Sequence, residues 1–158
     1  MRKPLFWAAN FSLLLLAFVL LPSLASAQCG TNSFPSGSAL TPTSTWQNAP
    51  SVGSGTYTNA YLYNGVNYTI STCGSSFDTQ LTIFDQNPAW TQRAYNDDNG
   101  PDCSGTAASM NYTSTYTGRH LLVVNRYSCQ GHDFSGVSAV LKVRENLGAA
   151  PGTPSGGG

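Results

Sequence analysis

Charge is what this sequence has least of. Only 9% of its 158 residues are charged, and the formal net charge is zero, whereas typical soluble domains carry about 25% charged residues. So few charges exclude a coiled coil, and the neutral balance argues against an electrostatic nucleic-acid binder. A hydrophobic content of 41%, with eight Tyr, seven Phe and three Trp, excludes a wholly disordered chain. What remains is an uncharged, loop-rich domain of all-β type.

The first residues follow the pattern of an export signal. Arg2 and Lys3 precede an uncharged apolar run at 11–21, and the small residues Ala25 and Ala27 stand where a signal peptidase reads the chain. The run is shorter than the ~20 residues of a membrane-spanning helix. We therefore expect a signal peptide at 1–27 and a secreted, membrane-free protein. Its loss leaves five basic side chains against seven acidic ones, so the mature chain is weakly acidic.

The rest of the chain divides by composition. Residues 28–147 have the length and composition of one domain. Residues 148–158 are rich in Gly, Pro and Ser, which is typical of a flexible tail or linker. Because linkers join domains, a longer protein with further domains and a free tail are both open alternatives.

The four cysteines predict two disulfides, since an even number in an exported chain indicates disulfide pairing. Zinc is disfavoured, because no Cys-x-x-Cys pair occurs and the two histidines are too scattered to complete a ligand set. Four cysteines allow three connectivities. We favour Cys73 with Cys103, which would tie two loops at one end of the domain. Cys29 with Cys129 would then fix the mature N-terminus.

Strand patterns recur along residues 28–147, with turn signals every eight to twelve residues and no capped helical periodicity. Segments 56–63 and 66–72, joined by Asn-Gly at 64–65, predict a β-hairpin with a type I′ turn. The apolar run 121–124 predicts a central strand buried on both faces. Residues 106–113 predict a strand with Met110 and Tyr112 inwards, and the alternation over 137–144 predicts a strand with one wet face. About eight strands in two packed antiparallel sheets follow.

One region resembles a known family. Residues 71–85 read Ser-Thr-Cys-Gly-Ser-Ser-Phe-Asp-Thr-Gln-Leu-Thr-Ile-Phe-Asp, and residues 94–98 read Ala-Tyr-Asn-Asp-Asp. These stretches, with 117–125 as a late Gly-x-x-hydrophobic strand, resemble the cysteine-bearing subset of bacterial pre-peptidase C-terminal domains. His120 stands where that family usually has an aromatic residue. The resemblance implies a secreted, jelly-roll-like β-sandwich, appended to hydrolases or adhesins and without catalytic activity.

Oxygen-bearing side chains are concentrated in the same region. They are Asp78, Asp97, Asp98, Asn99 and Asp102. If the favoured loop disulfide forms, both loops meet at one end of the sandwich, and their oxygens suit Ca²⁺, which takes six to eight oxygen ligands. The sequence thus offers a calcium site, against the alternative that these residues cap turns.

Four aromatic residues are candidates for a binding surface: Trp46, Trp90, Tyr95 and Tyr127. Exposed rings stack on sugars or anchor protein interfaces. The alternative is that they fill the small core.

Catalysis finds little support in the sequence. No Gly-x-Ser-x-Gly elbow occurs, and Glu145 is the only glutamate, so a glycosidase-type carboxylate pair is not indicated. We expect a secreted, non-catalytic binding or accessory module that contacts protein or polysaccharide surfaces. The alternatives are a structural or folding-assistance domain of a larger secreted peptidase or adhesin, and a small hydrolase.

Overall fold

The computed structural model describes residues 29, 34–35, 39–49, 52–129 and 138–147. Within these ranges the chain forms nine β-strands and one 3₁₀ turn at Tyr127–Cys129. The strands are β1 (Phe34–Pro35), β2 (Gln47–Asn48), β3 (Thr56–Leu62), β4 (Asn67–Ser71), β5 (Thr79–Asp85), β6 (Thr91–Asn96), β7 (Ser109–Thr113), β8 (Gly118–Arg126) and β9 (Lys142–Glu145). The predicted signal peptide at 1–27, its cleavage point and the tail at 148–158 all lie outside the described residues, so this division stays a prediction. In the described ranges no helix is long and apolar enough to span a membrane.

The strands form two sheets packed face to face. The five-stranded sheet has the order β1-β3-β8-β5-β6, and the four-stranded sheet has the order β2-β9-β4-β7. All strand pairs are antiparallel except the short β1–β3 pair. One apolar core fills the space between the sheets and draws on both of them, with Leu62, Leu81 and Leu122 from one side and Ile70 and Val143 from the other. The predicted antiparallel β-sandwich is therefore confirmed.

Strand β8 lies between β3 and β5 in the larger sheet. Leu122 and Val124 point into the main core, whereas Leu121 and Val123 pack with Phe84 in a second apolar cluster. Side chains of a strand alternate between its faces, so a run of four apolar residues suits a strand whose two faces are both buried. The predicted central strand is confirmed.

The predicted hairpin at Gly65 is wrong. A turn does form, since Val66 N–H donates to the carbonyl of Tyr63 at 3.1 Å and Gly65 has a φ of +80°. It is not the predicted type I′ turn, because that type needs a positive φ at Asn64 as well, and Asn64 does not have one. However, β3 pairs with β8, whereas β4 pairs with β7 and β9 in the other sheet. The backbone groups of the turn bond elsewhere: Gly65 N–H donates to the carbonyl of Ser114, and Tyr63 N–H donates to the buried hydroxyl of Tyr68. The turn therefore carries the chain from one sheet to the other.

Two predicted strands begin later than the sequence indicates. The segment from 106 becomes a strand only at Ser109, because Ala108 N–H donates to the side chain of Thr79 instead of to a strand partner. In the alternating segment 137–144, residue 137 lies outside the described residues, Ala139 makes a single bridge to Val52, and β9 begins at Lys142.

Two disulfides close the domain, and their pairing is the favoured one. Cys73, just after β4, is bonded to Cys103 in the loop before β7. Cys29 is bonded to Cys129, which ends the 3₁₀ turn after β8. The fully buried Gln80 holds that second bridge in place, since its Oε1 accepts a hydrogen bond from Cys129 N–H at 2.9 Å.

Candidate functional site

Three aspartates meet at one end of the five-stranded sheet. Asp78 directly precedes β5, and Asp97 and Asp98 directly follow β6. Because β5 and β6 are antiparallel neighbours, the start of one and the end of the other lie side by side. One carboxylate oxygen from each residue lies within 4.8 Å of the other two. We call these three residues the acidic cluster.

The acidic cluster is electrostatically strained. Partial burial and the nearby carboxylates of Asp98 and Asp97 raise the pKa of Asp78, and Arg126 opposes them only weakly. The Oδ1 atoms of Asp78 and Asp97 are shielded from solvent, and neither has a hydrogen-bond partner among the described residues. Shielded carboxylate oxygens without partners cost free energy. Hard oxygen ligands in this arrangement suit a divalent cation such as Ca²⁺.

Asn99 and Asp102 do not join the acidic cluster, which corrects the predicted ligand set. The Oδ1 atom of Asn99 accepts a hydrogen bond from Gly105 N–H at 2.9 Å and so closes a turn. Asp102 Oδ2 lies 2.6 Å from Ser71 Oγ and 2.7 Å from Lys142 Nζ. The physical reason for Asp102 is its contacts with β4 and β9, next to the disulfide after β4, which hold it beside the four-stranded sheet.

Tyr95 supports the acidic cluster and is not an open stacking surface. It is half-buried on β6, and its hydroxyl accepts a hydrogen bond from Gln80 Nε2 at 2.8 Å. Burial and the neighbouring Asp97 raise the pKa of Tyr95 to about 12. Its phenol therefore stays protonated, and it is a hydrogen-bond donor towards Asp97.

Trp46 is already occupied by protein groups. Lys142 Nζ and Arg144 Cζ both lie 4.6 Å from the centre of its ring, within the range of cation–π attraction. The ring is half-buried against the four-stranded sheet. Tyr127 is 57% exposed but follows β8 at the end that carries the acidic cluster. The predicted aromatic residues therefore do not form one platform.

Trp90 marks the opposite end of the five-stranded sheet. It lies in the loop between β5 and β6, and Arg119 Cζ lies 5.9 Å from the centre of its ring. Arg119 also lines a groove with a volume of about 460 Å³, together with Asn59, Tyr61 and Gln86. We call this the β3–β8 groove, after the two strands that supply most of its lining.

Three residues at this end are not among the predicted binding residues: Tyr61, Tyr63 and Arg119. Tyr61 and Tyr63 are 43% and 49% exposed, and their rings meet edge to face with centres 5.4 Å apart. The alternation of β3 could have predicted the two exposed tyrosines. Ala60 and Leu62 are apolar and point inwards, so Tyr61 and Tyr63, which flank Leu62, must point outwards.

Among the described residues, one serine hydroxyl lies next to a histidine ring in the protein interior. His120 Nε2 lies 3.2 Å from Ser114 Oγ, and His120 Nδ1 lies 3.0 Å from the carbonyl of Gly118. The Ser114 hydroxyl donates to the carbonyl of Tyr116 at 2.7 Å. Both side chains are buried, and burial lowers the pKa of His120. The contact fastens the start of β8 and offers no route to a substrate. His132 lies outside the described residues.

Comparisons with known proteins show a family and remote structural neighbours. No curated protein matches the chain. Among solved structures, a pre-peptidase C-terminal domain of collagenase from Bacillus anthracis is similar, with a TM-score of 0.45 and 10% identity, covering 73% of this chain and 99% of that chain. That level of similarity is no argument for a shared function. The model of the family described as "Domain of unknown function (DUF8695)" matches residues 47–148, from β2 to just beyond β9. The chain therefore belongs to the DUF8695 family.

Proposed function

We propose that this protein is a secreted, non-catalytic β-sandwich module that contacts a polysaccharide or protein surface through the β3–β8 groove. The observation that carries the proposal is the groove itself, which is concave and has the exposed ring of Tyr61 at its edge. Its volume of about 460 Å³ lies in the range of sites for small molecules and side chains. The nearby rings of Trp90 and Tyr63 widen the surface that a polymer could cover.

Secretion is supported by two independent features. The export pattern with Arg2, Lys3 and the small residues before position 28 is one of them. The two disulfides are the other, because disulfides persist in oxidising compartments outside the cytosol.

A binding role without catalysis is supported by the chemistry of the polar groups. The contact between Ser114 and His120 is fully enclosed. The groove presents amide groups, aromatic rings and one arginine. Such groups bind and orient a ligand, whereas a nucleophile with an adjacent base is the arrangement that covalent catalysis uses.

The test uses the processed full-length protein, isolated from the medium of an exporting host. It is applied to an array of polysaccharides and glycans and used to capture surface proteins in parallel. We expect at least one class of polymer to bind, and we expect Trp90→Ala and Tyr61→Ala to weaken that binding at least tenfold. Tyr127→Ala is the matched control, since it removes an even more exposed ring at the far end of the sheet. The proposal fails if nothing binds, or if the control loses as much as the groove variants.

We also propose that the acidic cluster binds Ca²⁺. Three carboxylates meet there, and two of their oxygens are shielded and without described hydrogen-bond partners. Binding of Ca²⁺ at a free concentration of 100 times its Kd would stabilise the fold by about 2.7 kcal/mol. We expect millimolar Ca²⁺ to raise the melting temperature and Asp98→Asn to abolish the effect, whereas Asp102→Asn, outside the cluster, retains it. An unchanged melting temperature in millimolar Ca²⁺ excludes the site.

A further inference from the structure

Arg119 is the charged side chain among the described residues that line the β3–β8 groove. It is exposed at the start of β8. The ion pairs within the described ranges join Arg93 to Asp85 and Lys142 to Asp102, so Arg119 has no carboxylate partner there. Its guanidinium is placed near the ring of Trp90 and is free to meet a ligand anion.

The surroundings of Arg119 favour an anion further. Within the described part of the five-stranded sheet, the acidic residue at this end is Asp85, which is completely buried, and Arg93 Nε lies 2.7 Å from its Oδ2. Its negative charge is therefore neutralised inside the protein. The acidic cluster lies at the opposite end of the five-stranded sheet. The groove thus carries an exposed positive charge that no carboxylate of its described lining offsets.

The other groups that line the groove, and the ring of Trp90 beside Arg119, suit a saccharide. The exposed ring of Tyr61 and the ring of Trp90 offer apolar faces on which the C–H face of a sugar ring packs. Asn59 and Gln86 line or border the groove with amides that bond hydroxyl groups. Asn59 Oδ1 is shielded and has no hydrogen-bond partner in the described part of the chain. A hydroxyl that donates to it after a rotation of the amide would remove that cost.

We infer that the β3–β8 groove binds an anionic sugar unit of a polysaccharide, with the carboxylate or sulfate on Arg119 and the sugar ring against Tyr61 and Trp90. A planar guanidinium forms two parallel hydrogen bonds with such anions. The inference rests on the proposed function and names the class of polymer. Uronates and sulfated sugars share this chemistry.

The experiment measures binding of the processed full-length protein to four polymers by calorimetry. Polygalacturonate carries carboxylates on sugars, dextran sulfate carries sulfates, dextran is neutral, and polyglutamate carries carboxylates without sugars. We expect one of the anionic polysaccharides to bind at least tenfold more tightly than dextran or polyglutamate, and the preferred one identifies the anion. Added salt should weaken the interaction, because the ion pair is exposed to solvent.

Two arginines of the same strand provide the matched variants. Arg119→Gln should reduce binding of the anionic polysaccharide at least tenfold, and Arg119→Lys should retain an intermediate affinity. Arg126→Gln, an exposed arginine at the other end of β8, should leave binding unchanged. Far-ultraviolet circular dichroism melts show whether each variant remains folded.

The outcomes separate this inference from the proposed function. Equal binding of dextran, unaffected by Arg119→Gln, overturns the anionic-sugar inference and leaves a neutral-polysaccharide module. Equal binding of polyglutamate, or an equal loss in Arg126→Gln, overturns it as non-specific charge attraction. Binding confined to a captured protein also overturns it. If no polysaccharide and no protein binds, the proposed function fails as well.

Discussion

Asp102 Oδ2 lies 2.7 Å from Lys142 Nζ, which fastens the loop before β7 to β9. This ion pair holds Asp102 apart from Asp78, although the sequence places both aspartates in one candidate site. Partial burial raises the pKa of Asp102. The hydrogen bonds from Lys142 and Ser71 outweigh this effect and lower the pKa below its ordinary value. The pKa of Asp78 is raised by burial and by neighbouring carboxylates. Ionisation of Asp102 therefore stabilises the fold, whereas ionisation of Asp78 destabilises it.

Asp102→Asn should destabilise the protein at pH 7 by about 1–2 kcal/mol, the scale of a partly buried, charge-assisted pair. The folded pKa is lowered, so this contribution is present above the unfolded value near 3.9 and is lost as the pH falls through the folded value. Urea unfolding of both proteins between pH 3 and pH 7 measures the difference. An undiminished difference at pH 3 would contradict the ionic origin.

Asp78→Asn should have the opposite effect on stability. It should stabilise the calcium-free protein at pH 7 by about 0.5 kcal/mol, the scale of partly exposed charge interactions. The folded pKa of Asp78 is raised, so its ionised form costs stability at neutral pH. That cost disappears as the pH falls through the raised value towards the unfolded one. Unfolding in the presence of a chelator checks this. A loss of stability at pH 7 would show that repulsion within the acidic cluster is not the dominant effect.

His120 should make the fold sensitive to mild acid. Burial lowers its pKa, and the charged groups nearest to it, Asp85 and Arg93, have opposing effects. Below about pH 6.5 the unfolded chain takes up a proton that the folded chain excludes. Stability should therefore fall as the pH drops from 6.5 towards the folded value, by at most about 1.4 kcal/mol per pH unit. Proton NMR titration of His120 should show an apparent pKa below 6.5; a value at or above 6.5 would refute the prediction.

Thr82 and Thr79 offer a matched pair of buried hydroxyls on β5. Thr82 Oγ1 has no hydrogen-bond partner within the described residues, whereas Thr79 Oγ1 accepts from Ala108 N–H at 3.0 Å and lies 2.5 Å from Thr72 Oγ1. Thr82→Val should raise the free energy of unfolding by about 1 kcal/mol, because it removes an unsatisfied polar group. Thr79→Val should lower it by about 1–3 kcal/mol. Chemical unfolding measures both, and shifts of the same sign would contradict the assignment.

The burial pattern of individual strands could be predicted from the sequence. The apolar run of β8 indicates a central position, because only a strand covered on both faces has apolar residues in succession. On β7 the alternation correctly places Met110 and Tyr112 inwards. Strand pairing at Gly65 could not be predicted, since an Asn-Gly dipeptide determines the local backbone but not which sheet receives the next strand.

The same distinction applies to the candidate sites. Asp78, Asp97 and Asp98 come together because they flank two adjacent strands. Asp102 could not be placed from spacing, because its position depends on the path of the disulfide-linked loop. The β3–β8 groove depends on how separate strands and a loop meet. Alternation alone could have pointed to Tyr61 as an exposed residue of its lining.

The turn at Gly65 has a consequence for how the chain folds. Since β3 and β4 share no hydrogen bonds, this turn cannot start a local hairpin. Strand β3 becomes paired only when β8, far along the sequence, has joined it. Pairing between β5 and β6 is the short-range alternative, because only a small loop separates them. A topology with so much long-range pairing has a high contact order and loses much chain entropy before its contacts form. Folding on the millisecond-to-second timescale follows, with β5 and β6 as the natural first pair.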